Sequence, residues 1–296
     1  MEVYAAVRAH GIKSRLLSKQ DYEALVSGAK QLWDFPDYAH VSARDPLEKK
    51  LEKVYEVYVR RMSLLARIPE VSSLVYALLD RLEVENIKFH LRHVTGYQRP
   101  VLYYPYGRIL GLEKLLSLKT ESAIWEELSR TPLKAPAAPS FKTRLIAERE
   151  VLLEILYYNY LAGTISSLKT GREVVETLTK LVIYHLTVSY ALWRNFLPED
   201  IIRSLLEMHA LRLKPSGELL IELRGSTTEI LQKGVKMLVE RARTEALNHP
   251  LDLAYIYALN YLLLLEAQNL EKVLIGKELG VAEEVLLKNL IFPQLS

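Results

Sequence analysis

The sequence contains no cysteine at all. This absence excludes thiol nucleophiles, disulfides, thiolate zinc sites and iron–sulfur clusters together. It also lacks a long run of one charge, because 39 basic and 36 acidic side chains are interspersed and leave a formal net charge of +3. A chain without a basic tract has no electrostatic footprint for nucleic acid, so we expect no nucleic-acid partner.

Long hydrophobic runs are missing as well. A transmembrane helix needs about 20 consecutive apolar residues, whereas the longest uncharged stretches are 155–168, 181–193 and 253–265. The N-terminal segment is interrupted by charges and lacks the apolar core of a secretory signal. We therefore expect these stretches to form buried core helices, and any association with a membrane to be peripheral or through another protein.

Patterns for nucleotide, metal and catalytic chemistry are absent from the sequence. There is no Gly-x-Gly, and Gly276-Lys277 lacks both the upstream glycine and the following Ser or Thr of a phosphate-binding loop. His90 and His93 have no glutamate at the spacing that zinc proteases or di-iron proteins use, so we interpret them as a helix-end pair. Glu266, among apolar neighbours, is interpreted as a partner in an ion pair or hydrogen bond between helices. The sequence thus predicts no catalytic residue, no cofactor and no metal site.

Helix boundaries are well marked. Asp45-Pro46 followed by Glu48 predicts a helix start in which Asp45 is the N-cap and Glu48 closes a capping box. This helix should run to the proline at 69, and the next helix should cover residues 70–95 until Gly96 stops it. Strand patterns are nearly absent, since no sustained apolar–polar alternation is bounded by hairpin dipeptides.

The same boundary signals recur later in the chain. Thr170 with Glu173 and Ser226 with Glu229 predict two further capped helix starts, and Gly280 predicts the end of a long helix that begins near residue 250. The proline-rich stretch 131–140 is the one marked linker. These features together predict an all-α protein.

Internal repetition is the most informative feature of the sequence. Glu83-x-x-Asn86 and Glu266-x-x-Asn269 share the pattern Glu-x-x-Asn-[Ile/Leu]-x-x-x-Leu, each near the end of a long predicted helix. Two shorter patterns also occur twice, Leu-Leu-Ser at 16–18 and 115–117, and Pro-x-Gly at 105–107 and 215–217. The order of these motifs indicates that the chain starts and stops inside a repeat.

From this order we predict three similar helical lobes, arranged as a pseudo-threefold funnel. The first lobe comprises residues 1–131, the second 132–225, and the third, shortened lobe 226–296. The N-terminal part of the first lobe is expected to complete the third. The two ends of the chain would then meet in one lobe.

Three segments of the chain resemble the C subunits of archaeal A-type ATP synthases, which are related to the d subunits of V-type (vacuolar) ATPases. The opening segment 4–18, with its Arg8 and Leu-Leu-Ser positions, is similar to the first helix of that family. Glu85-Asn86-Ile87 with Leu91-Arg92 resembles its recurrent Asp/Glu-Asn-Leu-x-x-x-Leu-Arg pattern, and segment 266–277 its Glu-x-x-Asn-Leu-x-x-Ile-x-x-Gly-Lys pattern. The middle segment 184–195 departs from the family, because it lacks the aligned Asn, and Gln268 replaces an expected arginine.

This resemblance implies a non-catalytic central-stalk protein on the cytoplasmic face of the cell membrane. Such a protein would form a socket between the shaft made by the D and F subunits of the ATPase and the membrane rotor ring, and would couple ATP synthesis or hydrolysis to ion transport. Two alternatives from other classes stay open. One is a helical-repeat scaffold that binds other proteins on a concave face; the other is a helical enzyme with a dispersed carboxylate site.

Overall fold

The computed structural model describes residues 2–98, 100 and 102–293. Within these residues the chain is 69% helical without strands, which confirms the all-α prediction. Two 3-10 turns cover Leu32–Asp34 and Pro36–Tyr38. The described α-helices are α1 Glu2–Lys13, α2 Lys19–Val26, α3 Leu47–Ala66, α4 Pro69–Val94, α5 Leu112–Ser117, α6 Glu121–Ser129, α7 Ile146–Ser166, α8 Arg172–Trp193, α9 Glu199–Met208, α10 Gly217–Glu222, α11 Thr227–Asn248, α12 Leu253–Glu278 and α13 Glu283–Lys288.

Glycines end the two longest helices as predicted. Gly96 (φ +99°) follows α4 and Gly280 (φ +68°) follows α12, and both occupy the left-handed region that glycine adopts without strain. After α12, the N–H groups of Gly280 and Val281 donate to the carbonyls of Lys277 (3.1 Å) and Gly276 (2.8 Å). These two bonds form a Schellman motif, which satisfies carbonyls that the helix end leaves open.

The predicted cap at the start of α3 is wrong. Pro46, not Asp45, is the N-cap, and no side chain caps this helix. The Asp45 carboxylate instead accepts from the backbone N–H of Ser42 at 2.7 Å and pairs with Lys53 at 2.6 Å. A short acidic side chain readily bonds nearby backbone donors, and here the Asp45 carboxylate bonds the turn that precedes the helix.

Of the other two predicted capping boxes, one is present and one is not. Ser226 and Glu229 bond reciprocally, with Ser226 N–H to the Glu229 carboxylate at 2.8 Å and Glu229 N–H to the Ser226 hydroxyl at 3.4 Å. At α8 the N-cap is Gly171 without a side-chain bond, so the predicted box of Thr170 and Glu173 is wrong. The predicted linker 131–140 lies in the irregular connection between α6 and α7.

The chain forms two compact units. The described residues of unit 1 are 2–75, 102–105 and 239–293, and those of unit 2 are 76–98, 100 and 106–238. Unit 1 therefore joins an N-terminal and a C-terminal segment of the chain. The division into three lobes at residues 131 and 225 stays a prediction.

In unit 1, α12 is the central helix. Its residues 253–263 are all buried, as expected of a helix that neighbours cover, and it packs against α1 and α3. Tyr58 of α3 donates to the amide oxygen of Asn260 at 2.7 Å, and the His10 ring of α1 stacks on Tyr255 with centroids 4.1 Å apart. These contacts fix α12 between two helices from the other end of the sequence.

In unit 2, α7 has the equivalent central position. It packs against α8 and α9, and α10 packs against α8. Residues of α7 are buried along most of its length, including Glu154 in the middle of an apolar run. Among the described residues, no helix combines the length and the apolarity required to cross a bilayer.

Candidate functional site

The two Glu-x-x-Asn motifs lie in buried parts of α4 and α12. Glu83, Asn86, Glu266 and Asn269 are each at most 1% exposed. Residues three apart share one face of a helix, so each motif presents its carboxylate and its amide to the same side. Because a buried carboxylate is costly unless donors surround it, the partners of these groups indicate whether they are structural or reactive.

Glu83 binds the backbone that precedes α5. Its carboxylate accepts hydrogen bonds from four consecutive N–H groups, those of Arg108, Ile109, Leu110 (2.7 Å) and Gly111 (2.8 Å). Gly111 is the N-cap of α5, which has no side-chain cap of its own. Glu83 therefore supplies, from another helix, the negative charge that a helix N-terminus favours.

Asn86 holds the turn that comes just before. Its side-chain amide donates to the carbonyl of Tyr106 at 3.2 Å, and Tyr106 is the central residue of the Pro105-Tyr106-Gly107 turn. Position 107 requires glycine for a steric reason, since a Cβ there would lie 2.8 Å from the Cα atom of Gly111. The motif on α4 thus positions both the turn and the helix start.

Glu266 is also surrounded by donors, and these come from three segments of unit 1. It accepts from the Arg61 guanidinium at 2.5 Å, the Tyr38 hydroxyl at 2.7 Å and the backbone N–H of Leu17 at 2.6 Å. Burial and the charge of Glu266 raise the pKa of Tyr38 well above its usual range, so this hydroxyl stays a donor. The interpretation of Glu266 as an ion-pair partner between helices is confirmed.

Asn269 repeats the contact that Asn86 makes. Its amide donates to the carbonyl of Ile291 at 2.8 Å, which lies 22 residues later in the chain, and the partner of Asn86 lies 20 residues later. In both motifs, then, the Glu accepts from donors outside its own helix and the Asn donates to a backbone carbonyl 20 or 22 residues later.

A third version of this contact occurs where the sequence pattern is lost. On α8, Thr187 is fully buried and its hydroxyl oxygen accepts from the backbone N–H of Ser216 at 2.9 Å. Ser216 is the middle residue of the second Pro-x-Gly sequence, as Tyr106 is of the first, but here it is the N-cap of α10 and Gly217 begins that helix. The middle segment of the chain therefore has a side-chain contact to the corresponding residue, which the sequence did not reveal because Thr and Asn look unrelated.

An ionic cluster in unit 2 was also missed. Glu154 accepts from Lys88 at 2.8 Å, Arg81 at 3.3 Å and the indole N–H of Trp193 at 3.1 Å. Burial alone would raise the pKa of Glu154, but the charges of Lys88 and Arg81 and the hydrogen bonds of Lys88 and Trp193 outweigh it and lower the pKa to about 2. A single glutamate inside the apolar run 151–158 was the available indication of this cluster.

Asp80 is the centre of a further cluster in the same unit. This fully buried carboxylate accepts from the Arg108 guanidinium, from the Tyr106 hydroxyl at 3.1 Å and from the Tyr160 hydroxyl at 2.9 Å. It therefore ties the Pro-x-Gly turn and α7 to α4.

Each of these buried carboxylates is engaged by three or more donors, an arrangement that favours a positioning role over proton transfer. His90, one of the two histidines considered as ligands, donates from Nε2 to the carbonyl of Leu118 at 2.7 Å. In the described part of the chain, no three His, Asp or Glu side chains form a group that could hold a metal ion.

Comparison with known proteins does not identify a relative. No protein-family model matches the chain, and no curated protein is significantly similar to it.

Proposed function

We propose that the chain is a non-catalytic central-stalk component of a rotary A-type ATPase, a socket between the D/F shaft and the membrane rotor ring. The observation that carries this proposal is a similar contact on three long helices, from a buried polar side chain to backbone later in the chain. Asn86, Thr187 and Asn269 bond the backbone of Tyr106, Ser216 and Ile291 respectively. Three such contacts in one chain are expected if it consists of three similar lobes.

The second support is the pairing of the chain ends. Segments 2–75 and 239–293 belong to one compact unit, and Glu266 of α12 binds Leu17, Tyr38 and Arg61 from the N-terminal segment. The proposed closed, three-lobed funnel requires this pairing of the two segments, whereas an open superhelical scaffold does not.

The proposed work of the protein is mechanical. Torque passes through a socket only if its lobes do not deform, and close packing with satisfied buried polar groups gives that stiffness. The carboxylate clusters around Glu83, Glu154 and Glu266 are suited to this task because each ties together segments remote in sequence. The proposed place is the cytoplasmic face of the cell membrane, with attachment through the ring alone.

The decisive experiment is reconstitution with a D/F shaft and a rotor ring of an A-type ATPase. We expect the chain to form a stable complex with both, and its omission to abolish ion transport while the separated catalytic head still hydrolyses ATP. The isolated chain should not hydrolyse ATP. Failure to bind either partner, with all components folded, would contradict the proposal and favour the free-standing helical-repeat scaffold.

A further inference from the structure

A cleft of about 610 Å³ lies in unit 2 beside the last two turns of α7. One wall is a single face of that helix, which includes Asn159, Gly163 and Ser167. The other walls are the irregular segments 132–134 and 209–212. This volume is within the range of pockets that bind small molecules.

The cleft is lined by basic side chains and by no acidic one. Lys134, His209 and Arg212 all contribute to its walls. Within the described chain, neither Lys134 nor Arg212 forms an ion pair with an acid. Burial lowers the pKa of His209, so at neutral pH the positive charge comes from Lys134 and Arg212. Two unpaired cations on one cavity leave a positive potential that an anion would complement.

Two non-glycine residues with positive φ line the cleft, and one of them is explained by a helix end. Ala210 follows α9, where the N–H groups of Ala210 and Leu211 donate to the carbonyls of Glu207 (3.2 Å) and Leu206 (3.1 Å) in a Schellman motif. Lys134 (φ 51°) and Ala210 (φ 47°) are the two non-glycine residues with positive φ among those described, and both line this cavity. Gly163 lies inside α7, where glycine is unfavourable, and a Cβ added there would meet no atom within 4 Å. The left-handed conformation of Lys134 and the glycine inside α7 are locally unfavourable, and such residues concentrate at functional sites.

The wall formed by residues 209–212 is held in place by Asn159. Its side-chain amide donates to the carbonyl of His209 at 2.8 Å, and its oxygen accepts from the N–H of Arg212 at 3.4 Å. The segment 209–212 is thereby attached to α7 at both ends. Arg212 consequently projects from a backbone with a defined position.

We propose that this cleft binds the phosphate monoester group of a small organic phosphate or of a phospholipid headgroup. An arginine guanidinium matches phosphate oxygens in a bidentate fashion, and a nearby lysine adds a point charge. The hydroxyls of Thr164 and Ser167 and the open space at Gly163 leave room for the polar body of such a ligand. This site does not depend on the rotary role proposed above.

The test uses the full chain and two probes that separate the sources of the phosphate group. Glycerol 3-phosphate is titrated calorimetrically, and vesicles of phosphatidylcholine with and without phosphatidic acid are sedimented with the protein. We expect saturable 1:1 binding of glycerol 3-phosphate if the ligand is soluble, or phosphatidic-acid-dependent sedimentation if it is a headgroup.

The charge test compares two double variants with the same change in net charge. Lys134→Gln with Arg212→Gln should weaken binding of the active probe at least tenfold, since each substitution removes a charge-assisted contact worth roughly a factor of ten. Lys142→Gln with Lys214→Gln, at exposed positions outside the cleft lining, is the control and should bind within about twofold of wild type.

A second test blocks the space without altering charge. Gly163→Leu places a side chain in the cleft at a helical position that tolerates it, so the fold should be kept while binding is lost. Gly11→Leu, at an equally open helical glycine in unit 1, is the control that should still bind. Absence of saturable binding in both arms, or equal weakening by the cleft and control variants, would overturn the proposal. The cations would then serve only to stabilise the C-terminus of α7.

Discussion

Thr187 on α8 and Asn86 on α4 each hydrogen-bond the backbone of the middle residue of a Pro-x-Gly sequence, Ser216 and Tyr106 respectively. The polarity of the bond is reversed: Asn86 donates to a carbonyl, whereas Thr187 accepts from an N–H. A repeat can therefore preserve the position of a contact while its chemistry changes.

The Thr187 contact can be tested with an isosteric substitution. Thr187→Val removes the acceptor for the N–H of half-buried Ser216 and should cost about 1–2 kcal/mol in the free energy of unfolding. Hydrogen exchange at the Ser216 amide should accelerate in parallel. Thr179→Val is the matched control, since Thr179 on the same helix bonds only the carbonyl of Val175 within α8. Unchanged exchange at Ser216 would mean that the Thr187 hydroxyl does not protect this amide.

Glu83, which caps α5, should contribute more to the free energy of unfolding than Thr187 does. Glu83→Gln removes the charge that four backbone N–H groups share, and an amide cannot accept from all of them, so we expect a loss of about 2–4 kcal/mol in urea unfolding. Glu113→Gln, at an exposed position in the first turn of α5, should cost less than about 0.5 kcal/mol. Equal losses for the two variants would contradict the role of Glu83.

Glu154 should make stability depend on acid pH. Its pKa is about 2 in the folded protein against a usual value of 4.5. The carboxylate therefore stabilises the fold fully above pH 4.5, and this contribution is lost as the pH falls towards 2.

At pH 7, Glu154→Gln should cost about 3–5 kcal/mol because it leaves Lys88 and Arg81 buried without their counter-charge. The difference between variant and wild type should shrink between pH 4.5 and 2. Exposed Glu207→Gln should show neither effect. A variant whose deficit is the same at pH 7 and pH 2.5 would exclude this ion cluster as the cause.

His185 should make stability depend on pH in a higher range than Glu154 does. Burial and the charge of Arg81 lower its pKa to about 3, from an ordinary 6.5. Below pH 6.5 His185 binds a proton in the unfolded chain but stays neutral in the folded chain. Stability should therefore fall by about 1–2 kcal/mol between pH 7 and 5. His185→Gln should remove that part of the slope. Burial also lowers the pKa values of His90 and His209. These two residues should therefore reduce stability at acid pH in the wild type and in the His185→Gln variant alike. Identical slopes would rule out His185.

Helices and their ends were largely predictable, because glycine stops and apolar periodicity act locally. Gly96 and Gly280 end α4 and α12 as expected. The predicted cap by Asp45 was wrong because its carboxylate binds Ser42 and Lys53 instead of the first N–H groups of α3. Local sequence does not reveal which of these partners such a carboxylate binds.

The polar clusters were predictable only where two copies of a motif could be compared. Glu83 and Glu266 stood out by repetition, but their donors lie far away in sequence, and nothing local identifies Arg61 or the backbone of residues 108–111 as partners. Lys134 and Ala210 gave no indication of positive φ, since neither residue type favours it.

The joining of segments 2–75 and 239–293 in unit 1 has a consequence for synthesis on the ribosome. The partner of Tyr58 is Asn260, which is 202 positions later, so the N-terminal helices emerge long before the helix that covers them. Unit 2 is complete in the nascent chain once residue 238 has emerged, whereas unit 1 must wait for α12. We therefore expect the N-terminal helices to expose their apolar faces during most of translation, and to depend on chaperones in that interval more than unit 2 does.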